Sequence, residues 1–245
     1  MSQTIKKPDG SLLAYHQISG RNPGVLFLGG FMSDMMGTKA LYLEELCQRL
    51  GLSFVRFDYF GHGLSSGKFE EGTIGRWLED ALFVLDKLTE GSQILVGSSM
   101  GGWLMILVAQ LRAKRIKGLV GIACAPDFIE DFMRLTPEQH LSFEKEGICY
   151  IPSQYGDRPY TITKKLVEEG LRHRVLQSPI FIDCPIRFLH GMNDTDVIWQ
   201  KSVLLSELIT SQDVRVTLIK EGDHRLSTPD NLKLLAENIQ SILNI

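Results

Sequence analysis

The stretch that most constrains the fold is residues 93–104, Gln-Ile-Leu-Val-Gly-Ser-Ser-Met-Gly-Gly-Trp-Leu. Its first residues are typical of a buried parallel strand, and the apolar run that follows the glycine-rich turn predicts a buried helix. A strand, a sharp turn and a helix, with Gly-x-Ser-x-Gly in the turn, are typical of a nucleophile elbow. Because the elbow holds its serine in a strained conformation, the residues two before and two after it must lack side chains.

Ser99 is the predicted nucleophile, because Gly97 and Gly101 lie two residues away on either side. Ser98 is the alternative, but the residues at its corresponding positions carry bulky side chains. The simpler explanation of the same residues is an ordinary glycine-rich turn, or a phosphate-binding turn before a helix. The chain contains neither Gly-x-x-x-x-Gly-Lys-Ser/Thr nor Gly-x-Gly-x-x-Gly, so phosphate binding has no independent support.

Apolar strand patterns and helix patterns alternate along most of the chain, which predicts a parallel sheet with helices on both faces. A turn signal at residues 8–10 joins two short strand patterns into an antiparallel hairpin at the start. The later strands are predicted at residues 25–28, 53–57, 93–96, 117–122, 185–190 and 214–219, and the helices at residues 38–50, 73–88, 103–111, 199–208 and 230–243. The predicted fold class is α/β, with a mostly parallel eight-stranded sheet in a single domain that spans residues 1–245.

The alternation stops over residues 126–183, where no segment has the pattern of a parallel core strand. A polar helix is predicted at residues 163–175 within this segment. We expect residues 126–183 to be an insertion that forms a small cap over the carboxyl edge of the sheet.

Acid and base candidates follow two of the late strands. Asp194 comes after the strand at residues 185–190, and His224 comes after the strand at residues 214–219. A serine hydroxyl is a poor nucleophile until a base takes its proton, and that base needs a carboxylate to hold its tautomer. Because parallel strands end at the same edge of a sheet, we predict that Ser99, Asp194 and His224 meet there.

Other residues compete for these two roles. Asp196 is the nearest alternative for the acid, while Asp183 precedes its strand and would lie at the opposite edge of the sheet. His62 and His190 are the alternatives for the base. His62 lies in a Gly-His-Gly turn, where a structural role is expected, and His190 ends a strand, where we expect a hydrogen bond to the backbone.

The oxyanion hole is expected to use two backbone N–H groups, those of Met100, next after the nucleophile, and Phe31, in the loop after residues 25–28. An ordinary tight turn is the alternative for that loop. Apolar side chains near these loops predict a pocket for an acyl chain, although core packing is the commoner role of Met and Phe. The predicted pocket residues are Met32, Met35, Met192 and Phe128.

Charge and composition exclude several classes of protein. The formal net charge of −3 provides no broad basic field, so we predict no nucleic-acid partner. The longest apolar run, residues 103–109, is far shorter than the ~20 residues of a membrane span. The 4 cysteines lack Cys-x-x-Cys spacing, which predicts free thiols and no metal site. The first residues resemble neither a signal peptide nor a transit peptide, so we expect a cytoplasmic protein, with a mature mitochondrial matrix form as the alternative.

The chain resembles the α/β-hydrolase superfamily over essentially its full length, including the chain order of serine, acid and histidine. More narrowly, it resembles the group that includes the mitochondrial palmitoyl-protein thioesterase, also described as the mycophenolic acid acyl-glucuronide esterase, and its bacterial relatives. The resemblance is carried by residues 37–41, 56–59, 94–105, 184–187, 189–192 and 223–225. It implies hydrolysis of acyl esters or thioesters without a metal or an organic cofactor, with Ser99, Asp194 and His224 as nucleophile, acid and base.

We therefore expect a serine esterase or thioesterase that forms an acyl-enzyme with a small-molecule or protein-linked substrate. A non-catalytic protein of the same fold that binds a small apolar ligand is the alternative from another class. A carbon-carbon bond hydrolase or a lactonase would use the same three residues. The sequence determines neither the acyl-chain length nor the oligomeric state.

Overall fold

A computed structural model describes residues 2–133, 136–152 and 159–244. Its strands are β1 (Gln3–Lys6), β2 (Leu12–Ile18), β3 (Arg21–Leu28), β4 (Leu52–Phe57), β5 (Gln93–Ser98), β6 (Ile116–Ile122), β7 (Ile148–Ile151), β8 (Tyr160–Thr163), β9 (Ile186–Gly191) and β10 (Val214–Ile219). Its α-helices are α1 (Thr38–Leu50), α2 (Ile74–Leu88), α3 (Met100–Leu111), α4 (Pro137–Glu146), α5 (Lys164–Gly170), α6 (Gln200–Leu208) and α7 (Pro229–Leu243). Within these ranges, no helix is both long and apolar enough to span a bilayer.

Eight of the strands form one sheet in the order β1-β2-β4-β3-β5-β6-β9-β10. The predicted hairpin is present as β1 and β2, and β2 runs antiparallel to β4, while the neighbouring pairs from β4 to β10 are parallel. The prediction of a mostly parallel eight-stranded sheet with flanking helices is thus confirmed. Strand β5 lies inside the sheet. Strands β9 and β10, which precede the predicted acid and base, both lie on the same side of β5.

The central strands of the sheet are buried on both faces, as an uninterrupted apolar strand pattern requires. In β5, Leu95 packs into one apolar cluster with the tryptophans Trp77 of α2 and Trp103 of α3. Its neighbours Ile94 and Val96 point to the opposite face and join a cluster with α1 and α7. This two-sided burial fixes the end of β5, and therefore the turn after it, within the core.

The described part of residues 126–183 adds a second, two-stranded sheet in which β7 and β8 pair antiparallel. It also contains α4, α5 and 3₁₀-helices at Phe128–Met133 and Leu171–His173. The helix predicted at residues 163–175 is shorter in the structure: α5 ends at Gly170 and continues as one 3₁₀ turn to His173. Thr163 caps α5, since its hydroxyl accepts a hydrogen bond from the Leu166 N–H at 3.0 Å. Residues 134–135 and 153–158 of the predicted insertion lie outside the described residues.

Candidate active site

Ser99 lies in the turn between β5 and α3 with φ 55° and ψ −118°, a left-handed backbone conformation that residues with a side chain rarely adopt. At Gly97 and Gly101, two residues before and after Ser99, the surrounding backbone leaves no room for a side chain. A Cβ atom added to Gly97 would lie 2.4 Å from the carbonyl oxygen of Gly101, and one added to Gly101 would lie 2.0 Å from the carbonyl oxygen of Leu28. The Gly-x-Ser-x-Gly spacing therefore reflects the steric demands of this turn.

The structure brings Ser99, Asp194 and His224 together at the carboxyl ends of β5, β9 and β10. His224 Nδ1 lies 2.7 Å from Asp194 Oδ2, and His224 Nε2 lies 3.0 Å from Ser99 Oγ. Because an ionised carboxylate only accepts hydrogen bonds, Nδ1 carries the proton and Nε2 is left to accept from the serine hydroxyl. In this arrangement the imidazole can take up the serine proton.

Asp194 is buried and held on both carboxylate oxygens. Oδ1 accepts hydrogen bonds from the backbone N–H groups of Asp196 at 2.9 Å and Val197 at 2.8 Å, while Oδ2 faces His224 and His190. Burial by itself raises the pKa of Asp194, but the hydrogen bonds from the two histidines and from the backbone outweigh it and hold the pKa well below its usual range. The carboxylate consequently stays charged beside the histidine ring.

The backbone of the loop after β3 passes close to the nucleophile. A Cβ atom added to Gly30 would lie 3.5 Å from Ser99 Cβ, so the peptide that leads to Phe31 runs beside the serine. The N–H of Met100 belongs to the first turn of α3, where backbone N–H groups have no acceptor inside the helix. Both predicted oxyanion donors are therefore in loops or turns next to Ser99.

Two polar residues, Arg56 in β4 and Asp58 just after it, bind the backbone of the loop after β3. Asp58 Oδ1 accepts from the Met35 N–H at 2.6 Å, and Arg56 Nη1 donates to the Met35 carbonyl oxygen at 2.8 Å. Sequence reasoning did not assign these two residues to the site. The available signal was the presence of Arg56 and Asp58 at the end of an otherwise apolar strand, where a buried charge requires a partner.

The structure gives each alternative candidate its own position or partners. Asp196 accepts a hydrogen bond from the Tyr160 hydroxyl at 3.1 Å, and Asp183 precedes β9 at the opposite edge of the sheet. His62 is buried among aromatic rings, and this burial lowers its pKa to about 4. His190 donates toward the Val197 carbonyl oxygen, in line with the predicted backbone hydrogen bond, but it also contacts Asp194.

The ring of Phe31 lies among four other aromatic rings. Its centroid is 5.4 Å from that of Phe128 and 6.0 Å from that of Tyr160, two residues of the 126–183 segment. It is also 5.0 Å from Phe69 and 5.9 Å from Trp77. The predicted pocket residue Phe128 therefore lies next to the loop that carries the Phe31 N–H.

The three predicted pocket methionines differ in their surroundings. Met35 is buried and its backbone is held by Asp58 and Arg56, which gives it a packing role in the loop. Met32 is half-buried with a left-handed φ of 54°, and Met192 is 41% exposed. Of these methionines, Met32 and Met192 are the two that are partly exposed to solvent.

The thiols of the described ranges are poorly suited to act as nucleophiles. The cysteines are free, and burial raises the pKa of the Cys47 and Cys124 thiols to about 12 and of Cys184 to about 11. A thiol with so high a pKa carries little of the reactive thiolate at neutral pH. Among the described residues, no group of three or more His, Cys, Asp or Glu side chains is arranged to hold a metal ion.

Known proteins resemble this chain in both sequence and structure. A family model described as serine aminopeptidase, S33, matches residues 25–143. The mitochondrial palmitoyl-protein thioesterase ABHD10 of Bos taurus is 42% identical over 242 residues, which cover 98% of this chain and 79% of that protein. The solved structure of the alpha/beta hydrolase domain-containing protein 10 from mouse matches with a TM-score of 0.93 and 40% identity, over 100% of this chain and 98% of the other.

A bacterial structure is as similar. The putative hydrolase from Agrobacterium vitis S4 matches with a TM-score of 0.94 and 38% identity, over 99% of this chain and 98% of the other. Identities of this size over almost the whole length establish common ancestry, and they confirm the family resemblance carried by the sequence motifs. The chain belongs to the α/β-hydrolase family that contains the palmitoyl-protein thioesterase ABHD10.

Proposed function

We propose that this protein hydrolyses acyl thioesters and esters through an acyl-enzyme formed on Ser99. The observation that carries the proposal is the continuous contact from Ser99 Oγ through His224 to Asp194, with distances of 3.0 Å and 2.7 Å. A binding protein without catalysis has no need for a strained serine in contact with a histidine and a buried carboxylate.

In the first half of the reaction, Ser99 Oγ attacks the acyl carbonyl carbon while its proton passes to His224 Nε2. Asp194 stabilises the imidazolium that results and keeps its ring in place. The carbonyl oxygen becomes an oxyanion, which accepts hydrogen bonds from the N–H groups of Phe31 and Met100. The imidazolium then protonates the leaving thiolate or alkoxide as its bond to the acyl carbon breaks, and the acyl group remains on Ser99.

In the second half, a water molecule takes the position of the leaving group. His224 removes one proton from this water as its oxygen attacks the acyl-enzyme carbonyl, and the same two N–H groups hold the second oxyanion. Collapse of that intermediate releases the carboxylic acid and returns the proton from His224 to Ser99 Oγ. The cycle requires no group beyond the side chains and backbone N–H groups named here and one water.

The substrate that fits best carries an apolar acyl chain. Phe31 and Phe128 pack against each other in the region of the loop after β3, and the half-buried Met32 follows Phe31 in that loop. Tyr160 connects the segment 126–183 to this region through Phe31 and to the loop after β9 through Asp196. These contacts support the proposal that residues 126–183 form a cap whose inner face receives the acyl chain, as in a palmitoyl thioester.

Covalent labelling by a fluorophosphonate tests the assignment of the nucleophile. The wild-type protein and the Ser98→Ala variant are expected to become labelled, whereas Ser99→Ala is not. Ser99→Ala should also lower kcat by ~10⁴-fold or more, because the remaining groups cannot replace the nucleophile. Ser98→Ala is the matched control, since it removes an adjacent hydroxyl at the end of β5. Labelling of Ser99→Ala, or no labelling of wild type, would reject the proposal.

The acyl group and the leaving group can be determined with a graded panel. p-Nitrophenyl esters and acyl thioesters with chains of increasing length are compared by kcat/KM. An apolar acyl pocket predicts that kcat/KM rises with chain length by up to ~10-fold for each well-packed pair of methylene groups. A decline from the shortest chain onward would contradict an acyl pocket while leaving the catalytic roles untouched.

The location of the protein is a separate question. The names of the mammalian relatives assign those proteins to mitochondria. This favours the mitochondrial alternative and gives the cytoplasmic prediction no support. Fractionation of cells that produce the protein, followed by immunodetection in each fraction, tests the mitochondrial assignment.

A further inference from the structure

A second histidine lies behind the predicted catalytic acid. His190 is near the carboxyl end of β9, four residues before Asp194, and its side chain is fully buried. Its Nε2 lies 3.2 Å from Asp194 Oδ2 and 2.9 Å from the Val197 carbonyl oxygen, and its Nδ1 lies 2.7 Å from Ser202 Oγ. The ring therefore sits between the acid and α6.

These partners determine the tautomer of His190. The Val197 carbonyl and the Asp194 carboxylate only accept hydrogen bonds, so the Nε2 atom that faces both must carry a proton. The Ser202 hydroxyl can then donate to Nδ1, and a neutral ring satisfies all three partners without placing a net charge in the interior. The result is a chain of contacts from Ser99 through His224, Asp194 and His190 to Ser202.

Asp194 Oδ2 lies 2.7 Å from His224 Nδ1 and 3.2 Å from His190 Nε2, and the single Nε2–H of His190 is shared between this oxygen and the Val197 carbonyl oxygen. The two titratable groups that face this carboxylate are His190, from β9, and His224, from the loop after β10. The nearby carboxylate of Asp196 is turned toward Tyr160. Since backbone N–H groups fix Oδ1, the direction in which Oδ2 points depends on the two histidines.

We infer that His190 is a positioning residue for the hydrolysis: its Nε2–H holds Asp194 Oδ2 in the orientation that receives the Nδ1–H of His224. The inference rests on the proposed roles of Asp194 and His224. The partners of His190 are Asp194, Val197 and Ser202, so it acts through Asp194, both directly and through Val197, whose N–H binds Asp194 Oδ1. It also draws electron density from Oδ2, which limits how strongly that oxygen stabilises the protonated His224 ring.

Two substitutions separate this role from simple packing. His190→Leu removes the donor, whereas His190→Gln places an amide N–H near the original Nε2 position. In His190→Leu we expect kcat to fall by ~10-fold through loss of alignment, with KM within about twofold of wild type. The pH midpoint of the acid limb in the kcat/KM profile should rise by ~0.5 pH unit. The reason is that Asp194 Oδ2, once it has lost its contact with His190, stabilises the protonated His224 ring more strongly. His190→Gln should restore both values.

His62→Gln is the matched control, since it replaces another buried histidine, one that packs against Trp77 and Phe69. We expect it to lower stability without moving the acid limb. The inference is overturned if His190→Leu keeps the wild-type kcat and acid limb, or if His190→Gln is no better than His190→Leu. Fluorophosphonate labelling of wild type distinguishes failure of the proposed function from failure of the positioning role. Unlabelled wild type rejects the proposed function. Labelled wild type with unaffected His190 variants rejects the positioning role alone.

A measurement on the unmodified protein decides the question if His190→Leu does not fold. Long-range ¹H–¹⁵N spectra of the histidine rings report the tautomer of each neutral ring. The inference requires the His190 proton on Nε2, with His224 as the Nδ1–H form. A His190 ring protonated on Nδ1 alone could not donate to Asp194, and that result would overturn the inference without any variant.

Discussion

Gly101→Ala tests whether the turn at Ser99 sets the position of the loop after β3, which carries the predicted oxyanion donor Phe31 N–H. The added Cβ would lie 2.0 Å from the Leu28 carbonyl oxygen and 2.5 Å from that of Gly29, both backbone atoms. Ordinary van der Waals contact begins at 3.4 Å, so the end of β3 would have to withdraw by about 1.4 Å. Leu28 and Gly29 lead directly into the loop that carries the Phe31 N–H, which would move with them.

The expected magnitudes follow from this displacement. An oxyanion donor acts over 2.7–3.1 Å, so a shift of about 1 Å removes its hydrogen bond, and loss of one donor lowers kcat by ~10² to 10³-fold. Overpacking of a tight site lowers the free energy of unfolding by ~1–3 kcal/mol. KM should change little, because the lost interaction is made with the oxyanion of the transition state.

Steady-state hydrolysis of a p-nitrophenyl ester and urea denaturation measure both effects. Gly51→Ala is the control: its added Cβ meets no atom within 4 Å, but its φ of 67° makes the substitution strained. It should cost ~1 kcal/mol of stability and leave kcat unchanged, since Gly51 ends α1 at the opposite edge of the sheet. A folded Gly101→Ala with kcat within about threefold of wild type would refute the steric reasoning.

Two further predictions concern Asp194 and the buried thiols. Asp194→Asn should lower kcat by ~10³ to 10⁴-fold in steady-state assays, because an amide no longer enforces the Nδ1–H tautomer of His224. Since the folded-state pKa of Asp194 is depressed, its charge stabilises the fold above the unfolded pKa of ~3.9, and this contribution is lost as pH falls below that value. Urea denaturation should therefore show the stability difference between wild type and Asp194→Asn shrinking below pH ~4; a constant difference would contradict the depressed pKa. Iodoacetamide at neutral pH should leave ester hydrolysis intact and Cys47 and Cys124 unmodified by mass spectrometry, because burial raises both pKa values to about 12; rapid alkylation would show that these thiols are accessible.

The nucleophile turn could be recognised from sequence because its requirements are local. A left-handed serine between a strand and a helix excludes side chains at the positions two residues away, and Gly97 and Gly101 meet that requirement within five residues. The alternation of strands and helices likewise predicted the sheet, since each element reveals its burial through its own periodicity. The first two strands formed the predicted hairpin because the turn signal at residues 8–10 is also local.

The choice between Asp194 and Asp196 as the acid depends on tertiary contacts that the local sequence does not reveal. The residues lie two apart in one loop, and the sequence favoured Asp194 as the acid while Asp196 stayed the alternative. In the structure the N–H groups of Asp196 and Val197 turn the Asp194 carboxylate toward His224, while the Asp196 side chain meets Tyr160. Which carboxylate faces the histidine depends on how this loop folds against β10 and against the segment 126–183.

By itself, the sequence determined the fold class, the tight turn at Ser99 and the edge of the sheet at which Asp194 and His224 lie, because these depend on local sterics and on strand direction. Only the tertiary structure decided that Asp58 and Arg56 hold the loop after β3, and that β7 and β8 pair in a separate two-stranded sheet. It also decided that His190 contacts Asp194. The physical reason is that these contacts join groups whose directions are set by packing between elements, and neither composition nor periodicity records the direction of a buried side chain.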